Sequence, residues 1–100
     1  MPEVEMTEVI RRNAQARRYE LLLDGVLAVI VAYREHGDRL EFIHTETLAG
    51  FTGQGLAGKL AAYAVQDGID RGLRLVPYCP FIAAWLQKHP EFSDSVDLLG

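Results

Sequence analysis

The chain has 100 residues, of which 49% are hydrophobic and 24% charged, and its formal net charge is −4. This length suffices for one core, no apolar run approaches the roughly 20 residues that span a bilayer, and the acidic balance argues against general nucleic-acid binding. The single cysteine excludes an internal disulfide, and the three scattered histidines make no recognisable zinc spacing. We therefore expect one domain over residues 1–100, with a core of about 17–97, no membrane or nucleic-acid partner and no metal.

The N-terminal part of the chain is polar. Met1 to Glu5 lacks the basic segment followed by an apolar one that marks a secretory signal, so we expect a cytoplasmic protein. Four arginines follow, and they are either a solvated lead-in to the first strand or a patch for an anionic ligand: Arg11, Arg12, Arg17 and Arg18.

Three strands are predicted in the first half of the chain. Residues 17–24 alternate in polarity, and Asp24-Gly25 then supplies a two-residue hairpin turn suited to positive φ. Val26 to Tyr33 is almost continuously apolar, which is typical of a central strand covered on both faces. Arg39 to Leu48 forms the third strand of an antiparallel meander.

The second half predicts two helices around a fourth strand. Small apolar residues recur at helical spacing from Gly55 to Gly72, and Leu73 to Tyr78 is the fourth strand. Because such a crossover is right-handed, strands three and four should be parallel neighbours. A short helix runs from Pro80 to about Lys88, and its expected buried face is Phe81, Ile82, Trp85 and Leu86. The predicted fold class is α+β, an antiparallel β-meander extended by a β-α-β-α unit.

Three phosphate-binding signatures can be compared with the loop Gly53-Gln54-Gly55-Leu56-Ala57-Gly58-Lys59. The dinucleotide signature G-x-G-x-x-G needs a parallel sheet before it and an acidic residue about 20 positions later, and neither is predicted. The signature G-x-x-x-x-G-K-[ST] fails at Leu60, where a hydroxyl should bind magnesium. The acetyl-CoA signature [QR]-x-x-G-x-[GA] fits, because it follows an antiparallel strand and presents backbone N–H groups to a pyrophosphate.

Further strings accompany the loop, and they are Phe42–Glu46, Phe51–Ala57, Gly72–Leu75, Cys79–Phe81 with Trp85, and His89–Phe92. With them the chain resembles the GNAT N-acetyltransferase superfamily over residues 19–97. Within it, the strings are similar to the minimal single-domain branch, the N-acetyltransferase domain-containing protein 1 type. One departure is Thr52, which stands where the signature has Gln or Arg.

The resemblance implies a GNAT-like fold in which strands three and four splay apart around acetyl-CoA. It also implies that the pantetheine arm pairs with the backbone around Ile43 to Thr47. We expect the cofactor-binding residues to be Ile43 and Thr45 on the strand, followed in the loop by Thr52, Gly53, Gln54, Gly55, Leu56, Ala57, Gly58 and Lys59. Lys59 meets a CoA phosphate if it faces outward, or is a solvated surface lysine.

Three residues are candidates for the chemistry. His44 and Glu46 share one face of a strand, where they can act as general base and orienting partner, or can be ordinary strand polarity. Cys79 precedes a helix, whose positive end favours a thiolate. It is either a nucleophile that forms an acetyl-cysteine, a residue lining the acetyl pocket, or an inert core cysteine.

The predicted function is acetyl-CoA-dependent N-acetylation of a primary amine on a protein, peptide or small molecule. We expect a monomer or small homo-oligomer whose partners are acetyl-CoA and the amine acceptor. Two alternatives stay open, namely an acyl-CoA sensor without turnover and an interaction domain whose glycines only turn the chain.

Overall fold

The computed structural model describes residues 7–97, so the segment Met1 to Glu5 lies outside the described residues. Its elements in chain order are β1 (Glu8–Asn13), β2 (Arg18–Leu23), β3 (Val26–His36), β4 (Arg39–Thr47), α1 (Leu56–Asp70), β5 (Arg74–Pro77), α2 (Pro80–Gln87) and a 3-10 helix (Pro90–Ser95). They form one sheet with the strands in sequence order; β1 to β4 are antiparallel, and β5 is parallel to β4. The predicted parallel pair, residues 39–48 and 73–78, is thereby confirmed. Neither α-helix within residues 7–97 is long and apolar enough to cross a membrane.

A strand that was not predicted precedes the meander. β1 pairs with β2, placing Arg11 opposite Glu20 and Arg12 opposite Tyr19, so the expected solvated lead-in is wrong for these two arginines. β1 is a sheet edge with mostly exposed side chains, and charged residues are common on such edges. Its order comes from pairing with β2, and Ile10 is the side chain by which it packs against the core. The meander therefore has four strands.

The stripe of small residues on α1 lies against the sheet, as predicted. The buried residues of this helix are Leu56, Leu60, Ala61, Ala64, Val65 and Gly68. At Gly68, an added Cβ would lie 2.7 Å from Leu75 Cδ2 and 2.8 Å from Leu40 Cδ2. Because real side chains do not tolerate such distances, the missing side chain is what lets α1 approach β4 and β5.

The two faces of β3 are covered differently. Val29, Val31 and Tyr33 are buried in the same core cluster as residues of α1 and α2. Ile30 and Ala32 point to the other side and are only half-buried, so the prediction of a strand covered on both faces is wrong. We call this second side the outer face, and its cross-strand partners on β4 are Glu46, opposite Ile30, and His44, opposite Ala32.

One carboxylate on the outer face is buried beneath arginines. Glu20 is 2% exposed and accepts hydrogen bonds from Arg11 Nε at 2.8 Å, Arg18 Nε at 2.6 Å and Asn13 Nδ2 at 3.2 Å. Burial alone would raise the pKa of Glu20, but these hydrogen bonds outweigh it and lower the pKa below its ordinary value. Glu20 is therefore ionised at neutral pH and ties β1 to β2.

Candidate functional site

The sheet opens between β4 and β5. The two strands pair only from Arg39, opposite Arg74, to Phe42, opposite Pro77. The backbone N–H of Cys79 still donates to the carbonyl of Phe42 at 2.9 Å, but β4 continues to Thr47 without a strand partner on this side within the described residues. A strand edge left in this way can pair with the backbone or amide groups of an extended ligand.

A β-bulge lies at the start of this opening. In the pairing of β3 with β4, Ala32 lies opposite His44 and Tyr33 opposite Phe42, so Ile43 has no partner residue. An extra residue of this kind bends the strand and redirects its backbone groups, and bulges are common beside active sites. Residue 43, one of the expected cofactor contacts, is thus the point at which β4 turns away from β5.

The helix side of the opening carries a thiol and a hydroxyl. Cys79 Sγ lies 3.2 Å from Thr45 Oγ1, within hydrogen-bonding distance of a sulfur, and Cys79 is 3% exposed. Cys79 is the N-cap of α2, with Pro80 in the first turn, as the sequence predicted. The contact with Thr45 was not predicted, because it depends on the register between strands that are 34 residues apart.

The outer side of the opening carries an imidazole and a carboxylate. His44 Nε2 lies 3.4 Å from Glu46 Oε1, and the two side chains are 60% and 52% exposed. The structure thus brings His44 and Glu46 together, as expected from their spacing. It does not bring them to Cys79, because alternate residues of β4 point to opposite faces and Thr45 shares the side of Cys79.

The glycine loop leads directly into α1. Gly50, Gly53 and Gly55 have φ values of 93°, 80° and 71°, in the left-handed region that favours glycine, and Gly55 is the N-cap. The N-cap makes no side-chain cap bond, and the first turn of α1 carries no acidic residue. The first N–H groups of a helix lack partners within it, so this turn offers donors and the positive end of the helix dipole to an anion.

Gly58 differs from the other glycines of the loop. It lies within α1 without a positive φ, and a Cβ added there would meet nothing within 4 Å. Neither the backbone conformation nor packing against the rest of residues 7–97 therefore requires a glycine at position 58. The free space belongs to a cavity of about 280 Å³ lined by Thr47, Phe51, Gly53, Gly55, Leu56, Ala57, Gly58 and Phe81.

Two aromatic residues of this cavity were missed as site residues. Phe81 was predicted on the buried face of α2, but it is 40% exposed and lines the cavity, so that prediction is wrong. Phe51 lies just before the loop and is half-buried. The string Phe51–Ala57 contained it, but no sequence pattern indicated that its side chain lines a cavity. The predicted contacts Thr52 and Gln54 are exposed at the surface of the loop.

Lys59 already has an anionic neighbour. Its Nζ donates to Glu8 Oε2 at 3.1 Å, and the lysine side chain is 56% exposed. An exposed ion pair of this kind contributes little to stability, so a ligand phosphate can compete with Glu8 for the ammonium group.

The comparisons with known proteins agree with this geometry. Residues 18–95 match a family model described as GCN5-related N-acetyl-transferase. The fold is similar to the NMR structure of a GCN5-like protein from Staphylococcus aureus, with a TM-score of 0.69, 19% identity, and coverage of 92% of this chain and 90% of that one. At this identity the similarity concerns the fold, and it confirms the predicted GNAT-like α+β architecture. No curated protein matches the chain by sequence.

Proposed function

The chain belongs to the GCN5-related N-acetyl-transferase family, and we propose that it transfers the acetyl group of acetyl-CoA to a primary amine. The observation that carries the proposal is the opening between β4 and β5, which lies beside the cavity at the N-terminus of α1. The N-terminus of α1 suits a pyrophosphate, and the opening between β4 and β5 suits an extended chain that contains amide groups. Acetyl-CoA contains both groups in that order.

In this proposal, the N–H groups of the glycine loop and first turn of α1 bind the CoA pyrophosphate. The pantetheine arm passes between Phe51 and Phe81 and pairs with the free edge of β4 from Ile43 to Thr47. Gly58 leaves room for it beside the helix. The thioester carbonyl, where negative charge develops during attack, would then lie beside the bulged backbone of β4 and accept a hydrogen bond from it.

The reaction joins the acceptor nitrogen to the acetyl carbon and breaks the bond from that carbon to the CoA sulfur. The acceptor first loses a proton, which we assign to Glu46 or His44, directly or through water, because both are exposed on the outer face beside the opening. As the carbon–sulfur bond breaks, the nitrogen loses its second proton to solvent, and the departing thiolate receives one from solvent or from Tyr78, which follows β5 and is 49% exposed. The acceptor thus approaches from the outer face and acetyl-CoA from the helix side.

The geometry favours direct transfer over an acetyl-cysteine intermediate. Cys79 is buried, its thiol contacts the hydroxyl of Thr45, and the proposed base lies on the other face of β4. We therefore assign Cys79 and Thr45 to the wall of the acetyl pocket. Cys79→Ala should retain transfer, and mass spectrometry of the wild type with acetyl-CoA should find no acetyl group on Cys79. A stable adduct together with an inactive Cys79→Ala variant would establish the covalent route instead.

The experiment that tests the function measures thiol release from acetyl-CoA mixed with the protein and a panel of peptide and small-molecule amines. Thermal unfolding with millimolar CoA is measured in parallel. Release above the level given by acetyl-CoA alone, together with a thermal shift, is the expected result. A thermal shift without release would favour the acyl-CoA sensor. Absence of both would leave an interaction domain and refute the proposal.

The finer parts of the proposal rest on the sequence. We place the chain in the minimal single-domain branch of the family, as a monomer or small homo-oligomer acting on a protein, peptide or small-molecule amine. A cytoplasmic location belongs to the proposal, since the free thiol of Cys79 stays reduced there.

A further inference from the structure

A second cavity, of about 450 Å³, lies where the end of β1 and its turn into β2 meet the end of β3. The side chains around it that bear on ligand binding are Arg12, Arg17, Tyr33, Arg34, Glu35 and His36, and we call it the arginine cavity. The last turns of α1 lie next to it, because Arg12 Nε is 3.9 Å from Asp67 Oδ2. Since α1 has 15 residues and is about 22 Å long, this cavity is well separated from the glycine loop at the other end of the helix.

The walls of the arginine cavity carry excess positive charge. Its three arginines face one lining carboxylate, although the whole chain has a net charge of −4. Arg12 Nη1 lies 3.5 Å from Glu35 Oε1, and Arg34 Nε donates a hydrogen bond to Glu41 Oε1 at 2.9 Å. Arg17 makes no ion pair with any residue in the range 7–97. An anion entering the cavity therefore meets a guanidinium that no carboxylate among residues 7–97 pairs with.

The backbone holds Arg17 in a defined position. Its φ is 55°, its carbonyl accepts a hydrogen bond from the N–H of Tyr33 at 3.0 Å, and its own N–H donates to the carbonyl of Ala14 at 3.3 Å. Within the same turn, Asn13 Oδ1 accepts a hydrogen bond from the N–H of Ala16 at 3.1 Å. Hydrogen bonds thus fix the turn both internally and to β3, so ligand binding costs less conformational entropy there.

We propose that the arginine cavity binds a small molecule carrying a phosphate group, independently of acetyl-CoA. Guanidinium groups bind phosphate oxygens through paired, charge-assisted hydrogen bonds, and here Arg17 and Arg34 supply them from two chain segments. Tyr33 and Ala14 provide a less polar wall for the remainder of the molecule. The volume lies in the range of small-molecule sites, and the net negative charge of the chain disfavours a long polyanion.

The test is an NMR titration of the full chain with inorganic pyrophosphate, in saturating CoA and at constant ionic strength. Saturable shifts are expected at the side-chain N–H groups of Arg17 and Arg34 and at the amide of His36. In Arg17→Gln the dissociation constant should rise about fivefold or more. Lys88→Gln removes the same charge from an exposed residue that follows α2, and it should leave the dissociation constant unchanged.

Three results would overturn the proposal. The first is a titration without saturable shifts in the arginine cavity. The second is equal pyrophosphate affinity in Arg17→Gln and Lys88→Gln, which would mean that affinity depends on net charge and not on Arg17. The third is much tighter binding of a short single-stranded oligonucleotide than of pyrophosphate, which would make the surface a nucleic-acid site. Because the readout is local to this cavity, it does not depend on whether the chain acetylates amines.

Discussion

Gly58→Ala tests whether position 58 is a glycine because of the ligand or because of the fold. A glycine within a helix costs about 0.5–1 kcal/mol relative to alanine, and, apart from the adjoining helix backbone, the added methyl group meets no atom of residues 7–97 within 4 Å. The variant should therefore be more stable by about that amount, which raises the Tm of a domain of this size by about 2–8 °C. The same methyl group enters the cavity assigned to acetyl-CoA, so CoA affinity should fall about tenfold or more, or at least 1.4 kcal/mol.

Gly68→Ala is the matched control, because it makes the same change almost three turns later in the same helix. There the new Cβ would overlap Leu40 and Leu75, both fully buried, so the variant should lose about 1–3 kcal/mol despite the gain in helix propensity. Urea unfolding of both variants and calorimetric titration with CoA provide the measurements. CoA binding should survive in folded Gly68→Ala and weaken in Gly58→Ala.

Two results would refute this reasoning. If Gly58→Ala binds CoA as tightly as the wild type, the space beside Gly58 is not used by the cofactor. If Gly58→Ala is less stable than the wild type, the glycine serves the fold, and the free space beside it no longer supports a cofactor site there.

Three further outcomes are expected. Glu46→Gln should lower kcat about 10- to 100-fold with little change in the KM for acetyl-CoA, whereas Glu91→Gln, on the exposed 3-10 helix, should leave both unchanged; equal rates would remove Glu46 from the proton transfer. Glu20→Gln should cost about 1–2 kcal/mol at pH 7. Because the folded pKa of Glu20 lies below its ordinary value of 4.5, its stabilisation is present above that pH and is lost as the pH falls further, so urea unfolding should show the two proteins converging in acid. Tyr19→Phe removes a buried hydroxyl that donates to Asp67 Oδ2 at 2.7 Å and should cost about 1–2 kcal/mol without affecting acetyl transfer; an unchanged urea midpoint would contradict that cost.

Local pattern was sufficient for most of the fold. The hairpin at Asp24-Gly25 and the span of α1 followed from turn chemistry and helical periodicity, and both match the structure closely. β1 could not be predicted from local pattern, because Glu8–Asn13 is mostly polar and is ordered by pairing with β2. A sequence window contains no information about a partner that lies beyond it.

The candidate site was predictable only in part for the same reason. The spacing of His44 and Glu46 within one strand was enough to predict that they meet. The contact of Thr45 with Cys79 requires the register of β4 and β5, and the exposure of Phe81 requires the position of α2 beside the loop. Contacts between distant segments are set by packing, which the sequence pattern leaves open.

The opening between β4 and β5 gives each proposed substrate its own entrance, and this separation has a kinetic consequence. In the proposed mechanism acetyl-CoA enters from the helix side and the amine from the outer face, so neither obstructs the path of the other. Both can occupy the protein at once and arrive in either order, so double-reciprocal plots of initial rate should intersect and not run parallel. The same separation lets CoA leave while the acetylated product is still bound.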